Sequence, residues 1–229
     1  MGQLRYAPLP GGDLAARSTW RAALGYLSLE PDAAGAFAAA FKDVQERERS
    51  LAAQQIVHRL NAPLASSMGR LFDAAAAVLG VRALAQYEAQ AAMELEALAG
   101  ARPAQPLPFP VTGDGAAGWV LDPVPLLVAL GERRVAGIAT AELAAAFHES
   151  VAAATAEVAT RAAAAAGTRL VALGGGCFQN ARLLLSLGGR LEAGGLRVLV
   201  PRRLGPNDGA VSYGQAAVAA AVLRRERDL

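Results

Sequence analysis

Apolar residues recur every three to four positions through much of the first hundred residues. In "MGRLFDAAAAVLG" the residues Leu71, Phe72, Ala75 and Leu79 fall at helical spacing, and Gly80 closes the pattern as a C′ residue. Ser66 or Ser67 stands where an N-cap belongs. The preceding "NAPLASSMG" interrupts the pattern, because Pro63 disfavours helix at Ala62. Upstream, "PLPGGD" is a turn-rich entry whose Asp13 is placed to cap a helix running through Trp20 to Leu27. A second helical pattern begins near Pro31 and continues, broken, to about Leu60. "AQYEAQAAMELEALAG" is a further amphipathic helix, ended by Gly100.

The pattern then changes. Residues 101–118, "ARPAQPLPFPVTGDGAAG", are rich in Pro and Gly and read as a loop, with Leu107 to Val111 as an extended edge segment. "GWVLDP" reads as a short strand and "PVPLLVALGE" as a short helix. The longest helix is predicted over Ala139 to about Ala166. Strand "TRLVAL", helix "FQNARLLLSLGGRLEAG", strand "LRVLV" and a final helix from about Asn207 to Arg225 follow. This β-α-β-α order predicts two parallel strands joined by a right-handed crossover. The expectation is an α/β chain, helix-rich, with a small and mainly parallel C-terminal sheet. It is one unit over 1–229: mostly helical to 100, a loop to 118, then an α/β segment. No internal repeat is found at a period of 20–50 residues.

Composition narrows the function classes. Apolar residues make up 54% of the 229, but much of that is alanine, which buries little area. The longest uncharged stretch, Gly209 to Leu223, is too short to span a bilayer and is interrupted by Ser212, Tyr213 and Gln215. No apolar leader segment is present, so a cytoplasmic location and no membrane association are expected. The net charge of +2 is small and spread out, so nucleic-acid binding is not expected. One cysteine, Cys177, and two distant histidines, His58 and His148, exclude a self-contained cysteine or histidine metal site.

Candidate chemistry concentrates in three segments. Gly174, Gly175 and Gly176 follow a predicted parallel strand and precede a helix, which is where open α/β sheets bind ligands. Glycine permits close backbone approach, and a helix start offers free N–H groups to an anion. Equally, the triplet is a tight turn with no ligand. It is neither a Walker A loop, since the single lysine, Lys42, lies elsewhere, nor a dinucleotide fingerprint. In "GPNDGAVSYGQAA", Asp208 follows the next strand and could ligate a divalent metal, or simply cap the last helix. In "NAPLASSMG", two serines and a glycine at a helix start could contact sugar hydroxyls or phosphate, or serve only as caps.

Together "GGGCFQNARLL", "PRRLGPNDGAVSYGQA", "SSMGRLFDAAAAVLG", "YEAQAAMELE", "PLPGGD" and "LDPVPLL" resemble the HypF family, the carbamoyltransferases of [NiFe]-hydrogenase maturation. The likeness falls in the C-terminal half of the domain similar to the tRNA threonylcarbamoyladenosine synthase TsaD, and it covers nearly the whole chain. It implies one lobe of an actin-like, sugar-kinase-like (ASKHA) ATPase fold. ATP or carbamoyl-adenylate would lie at Gly174, Gly175, Gly176 and Asn180. Ser66 and Gly69 would approach the ribose or adenine, and Asp208 would be a metal ligand. The acceptor would be a HypE-like protein with a C-terminal cysteine thiol, and another chain or domain would supply the N-terminal lobe. Tyr87, Glu88 and Gln90 belong to a motif whose role the sequence does not assign. Ala89 stands where the family commonly has glycine, and Cys177 where it has valine or alanine; Cys177 reads as a small apolar filler. The family's H-x-x-x-H metal pair is not found in this chain, so catalysis by the chain alone is not expected. The alternatives are a non-catalytic interaction module, prone to self-association, and a TsaD-like tRNA-modifying protein.

Overall fold

The computed structural model describes residues 2–114 and 118–227; Gly115, Ala116 and Ala117 of the expected loop lie outside them. The chain opens with β1 (Gly2–Leu4) and β2 (Ala7–Pro8), two strands with no local signal in the sequence. The following turn closes through backbone bonds from Gly12 to Leu9 and from Leu14 to Gly11. It draws Asp13 into right-handed helical geometry, so Asp13 does not cap α1 (Leu14–Arg17). The expected single helix is thus split at Ser18 from α2 (Thr19–Leu27).

The helical pattern after Pro31 is a 3-10 coil, Pro31–Phe41, followed by α3 (Glu46–Val57). The tighter coil packs on α6 (Val124–Val135) at very short range. A Cβ at Gly131 would lie 1.9 Å from the carbonyl oxygen of Ala36, so only glycine permits this approach. Between these lie β3 (Leu64–Ala65), α4 (Met68–Val78), α5 (Gln90–Ala99), β4 (Val111–Asp114) and β5 (Gly118–Leu121). β4 corrects the loop expected over 101–118, and it starts where the extended edge was expected to end. Leu107 and Phe109, just before it, are buried, and the Leu107 N–H donates to Ser150 Oγ at 2.7 Å.

α4 is the central helix. Leu71 to Leu79 are all buried, including the residues predicted from their spacing. Phe72 meets Phe147 edge to face at 4.9 Å. Phe147 lies on α7 (Thr140–Ala165), the longest helix, close to its predicted bounds. Alanine lets α2 pack close on α4 and α5 on α7, and burial is supplied by Phe37, Phe72, Phe147 and the leucines of α6.

The last third is β6 (Leu170–Ala172), α8 (Ala181–Ala193), β7 (Arg197–Leu199) and α9 (Val211–Arg227). Two 3-10 turns precede the helices, Gly176–Gln179 and Asp208–Ala210. β6 and β7 are parallel, as expected, with Val171 opposite Val198. The strand at Gly118–Leu121 does not join them. It pairs in parallel with β1 and antiparallel with β4, so among the described residues the sheets are three: β1-β5-β4, β2-β3 and β6-β7.

Candidate functional site

The glycine turn leaves the C-terminal end of β6, and the segment bearing Asp208 leaves the same end of β7. The Gly175 N–H donates to the Pro206 carbonyl at 2.7 Å, so the two turns are joined by a backbone hydrogen bond. Gly175 has φ +108° and ψ 156°, a region open essentially to glycine alone. Gly174 and Gly176 lie outside the positive-φ region, and a Cβ on either would meet nothing within 4 Å. All three glycines are exposed. Backbone conformation therefore accounts for the glycine at 175, while neither conformation nor packing among the described residues accounts for those at 174 and 176.

Asn180 closes the turn and is buried. Its Oδ1 accepts the Leu183 N–H at 2.8 Å, which caps α8, and its Nδ2 donates to His148 Nε2 at 3.0 Å. His148 is fully buried on α7, and its Nδ1 lies 2.7 Å from the Ala144 carbonyl. A carbonyl only accepts, so the proton sits on Nδ1 and Nε2 is left to accept from Asn180. Burial is the main cause that holds the His148 pKa below its ordinary value, partly opposed by the Ala144 bond. Asn180 was expected to touch a ligand; its carbonyl oxygen and one amide proton are committed to the fold. Through it, α7 and α8 set the position of the turn.

The start of α4 comes to the same flank of the core. Phe72 stacks edge to face on His148 at 5.4 Å. Arg70 and Asp73 both act electrostatically on Cys177, whose half-buried thiol is pushed up chiefly by desolvation. Ser67 is the N-cap in extended geometry, but it makes no side-chain capping bond. Ser66 and Gly69 are half-buried beside it. The helix therefore begins with free N–H groups, as an anion site would require.

Arg70 and Asp73 were not singled out by the sequence, although a lone acid inside "LFDAAAAV" is a readable signal. Asp73 is almost wholly buried and lies 3.0 Å from Arg70 Nη2. The contact is not aligned as a hydrogen bond, and Oδ2 has no such partner among the described residues. Desolvation raises the Asp73 pKa to about 6, with Arg70 opposing.

Asp208 begins its 3-10 turn at the surface. No group of three or more His, Cys, Asp or Glu is placed to hold a metal among the described residues. Calcium and magnesium take six or more ligands and zinc about four, so Asp208 alone does not make a metal centre. Cavities of about 400 and 610 Å³ open beside Arg134 and Thr140, and neither is lined by a candidate residue. The glycine turn lies instead on an open surface.

The motif around residue 90 has a structural task. Buried Gln90 accepts the Gln86 N–H at 2.7 Å and donates to Glu94 at 2.9 Å, while Arg82 grips Glu94 at 2.9 and 2.5 Å. Tyr87 and Glu88 are exposed. Ala89 sits at φ +60°, which explains why glycine suits this position.

Comparison with known proteins shows the family. The family described as "Carbamoyltransferase, Kae1-like Domain, second subdomain" matches residues 1–215. Carbamoyltransferase HypF2 of Cupriavidus necator is 40% identical, over 96% of this chain and 29% of its own length. Carbamoyltransferase HypF of Rhodobacter capsulatus is 43% identical, over 96% of this chain and 28% of its own. A second Cupriavidus necator protein, a carbamoyltransferase HypF homolog, is 42% identical and is matched over 57% of its length. Among solved structures, full-length HypF in a phosphate- and nucleotide-bound form superposes with a TM-score of 0.90 at 34% identity, covering 97% of this chain and 29% of that one. T. kodakarensis HypF superposes with a TM-score of 0.81 at 28% identity, over 98% of this chain and 30% of that one. The chain thus spans less than a third of the first of these relatives. No helix among the described residues is long and apolar enough to cross a membrane.

Proposed function

The chain belongs to the HypF family of carbamoyltransferases, and from that premise we propose that it forms the C-terminal lobe of the carbamoyl-transfer site that matures [NiFe]-hydrogenase. The lobe is of the actin-like, sugar-kinase-like type. Its glycine turn receives the phosphate of ATP or of carbamoyl-adenylate. Ser66 and Gly69, at the uncapped start of α4, face the nucleoside. The observation that carries this reading is the turn itself. It holds three exposed glycines at the C-terminal end of a parallel strand and is bonded to the next strand's loop, and the glycines at 174 and 176 serve no packing need. Glycine at such positions lets a phosphate reach the backbone N–H groups. The solved relative that superposes best of the two is itself described as nucleotide-bound.

In this reading the thiolate of a HypE-like acceptor's C-terminal cysteine attacks the carbamoyl carbon. A carbon–sulfur bond forms, the bond from that carbon to the phosphate oxygen breaks, and AMP leaves with the electron pair. The lobe's contribution is to hold the leaving phosphate and orient the nucleoside. Asp208 is the metal-ligand candidate at this edge among the described residues. The other half of the site comes from the N-terminal lobe, on the same or another polypeptide, so the 229 residues alone transfer no carbamoyl group. Cytoplasmic action fits this role.

The test is a titration of the chain with ADP followed by amide NMR. Weak binding is expected, with shifts at Gly174 to Gly176 and Met68 to Arg70. Shifts confined to other surfaces would overturn the assignment. Threonylcarbamoyl transfer to tRNA would overturn it in favour of a TsaD-like activity.

A further inference from the structure

The half-buried arginines Arg82 and Arg182 are each held by a carboxylate. Arg134, half-buried in the last turn of α6, makes no ion pair among the described residues. A cation suits a helix C-terminus, but exposed Arg133 already stands in that turn. Arg134 instead folds back over the end of α4. Its Nη1 donates to Thr140 Oγ1, at the start of α7, at 2.9 Å. Its guanidinium lies against Gly80, where a Cβ would sit 2.7 Å from Nη2 and 3.2 Å from Cζ. Glycine at 80 thus leaves room for the guanidinium. Nε and Nη2 donate to nothing among the described residues, and neither is sealed from solvent.

Arg134 and Thr140 line two cavities, of about 400 and 610 Å³. The larger falls within the range of small-molecule sites, roughly 300–1,000 Å³. The rest of its wall is mostly apolar, with Leu79, Val81, Ala97 and Leu98. Glu94 also lines it, but Arg82 and Gln90 hold that carboxylate. An apolar wall with a few placed polar groups is the pattern of a ligand site.

We propose that the larger cavity binds a small organic monocarboxylate with an apolar body. The carboxylate accepts from the free side of the Arg134 fork, and the body lies on Leu79, Val81 and Leu98. Charge decides the class. An unpaired guanidinium beside a carboxylate that is already paired balances a single negative charge. A phosphate dianion would be left with an excess next to Glu94. A neutral apolar molecule would cover the guanidinium without answering its charge, which is costly. The site stands apart from the glycine turn. Ser66 and Gly69 are at the start of α4, and Gly80 follows its end, about 16 Å along the helix. The proposal does not rest on the carbamoyltransferase reading.

The test titrates hexanoate into the 229-residue chain and follows it by amide NMR. Binding at about millimolar affinity is expected, with shifts at Gly80, Val81, Leu98 and Thr140. Hexanol, the same chain without the charge, should bind at least about tenfold more weakly. Arg134→Gln should weaken hexanoate at least about tenfold. Arg133→Gln, which removes the same charge from a residue outside the cavity, should leave it unchanged. Leu98→Asp, at an exposed position, leaves Arg134 in place and sets a like charge on the wall, so it should also weaken hexanoate. It keeps the test open if Arg134→Gln fails to fold by circular dichroism. An absence of shifts at these amides would overturn the site, as would binding indifferent to Arg134→Gln and Leu98→Asp. Inorganic phosphate or hexanol binding as tightly as hexanoate would overturn the ligand class. Acetyl-leucine, which carries the carboxylate of a peptide terminus, distinguishes the source. Binding about tenfold tighter than hexanoate would overturn the free acid in favour of a chain end.

Discussion

Replacing Asn180 with alanine removes two interactions at once. The α8 cap is lost, which costs about 0.5–2 kcal/mol. His148 Nε2, wholly buried, loses its donor at 3.0 Å, and an unsatisfied buried acceptor costs about 1–3 kcal/mol. The sum is about 1.5–5 kcal/mol, a fall in Tm of roughly 3–20 °C for a chain of this size. Thermal unfolding followed by circular dichroism measures it. Asn180→Asp separates the two parts. One carboxylate oxygen keeps the cap, and the other faces Nε2, which must then carry a proton to bond it. In the parent, the folded-state pKa of His148 is lowered below its ordinary 6.5. Its contribution is therefore fully present above pH 6.5 and is lost as pH falls below it. In the Asp variant that pKa is raised, so the contribution is present below pH 6.5 and lost as pH rises. The pH slope of stability from this group should reverse. A loss below about 0.5 kcal/mol in the Ala variant, or an unchanged slope in the Asp variant, would refute the coupling of turn and helix.

Asp73 has the opposite sign. Its folded pKa is raised from 3.8 to about 6 by burial, so its contribution to stability falls as pH rises through that window. Asp73→Asn should stabilise the fold by about 1–3 kcal/mol at pH 7.5 and change little at pH 4, read from Tm at both pH values; destabilisation at pH 7.5 would count against it. Ala89→Gly should stabilise by about 1 kcal/mol, because Ala89 is held at φ +60°; a denaturant midpoint that does not rise would refute this. Gly175→Ala should cost about 1–3 kcal/mol from its backbone conformation alone. Gly174→Ala, with open space around its Cβ, should leave Tm unchanged yet abolish the ADP shifts at the turn; equal losses of stability in both would show that the turn needs glycine throughout for folding.

What could be read in the sequence was what depends on neighbours along the chain. The spacing of Leu71, Phe72, Ala75 and Leu79 marked a helix, and all four are buried on α4. The β-α-β order after Thr168 implied parallel strands, and β6 and β7 are parallel. What could not be read depends on partners far away. β1 is three residues long and exists because Gln3 pairs with Val120. Pro31–Phe41 carries a helical apolar pattern, but close packing on Gly131 draws it into a tighter coil.

The same division explains the candidate site. Three glycines in a row suggest one purpose, yet the geometry separates them. Gly175 answers to backbone conformation, while Gly174 and Gly176 answer to nothing packed against them. Asn180, which looks like a fourth member of the motif, is spent on His148 and the cap of α8. That commitment fixes the turn, and a turn closed by a buried capping residue would not have to be ordered by the ligand proposed for it. By this commitment Asn180 would set how well the exposed glycines receive a phosphate, and Asn180→Ala should weaken ADP at the turn by more than its loss of stability unfolds the chain.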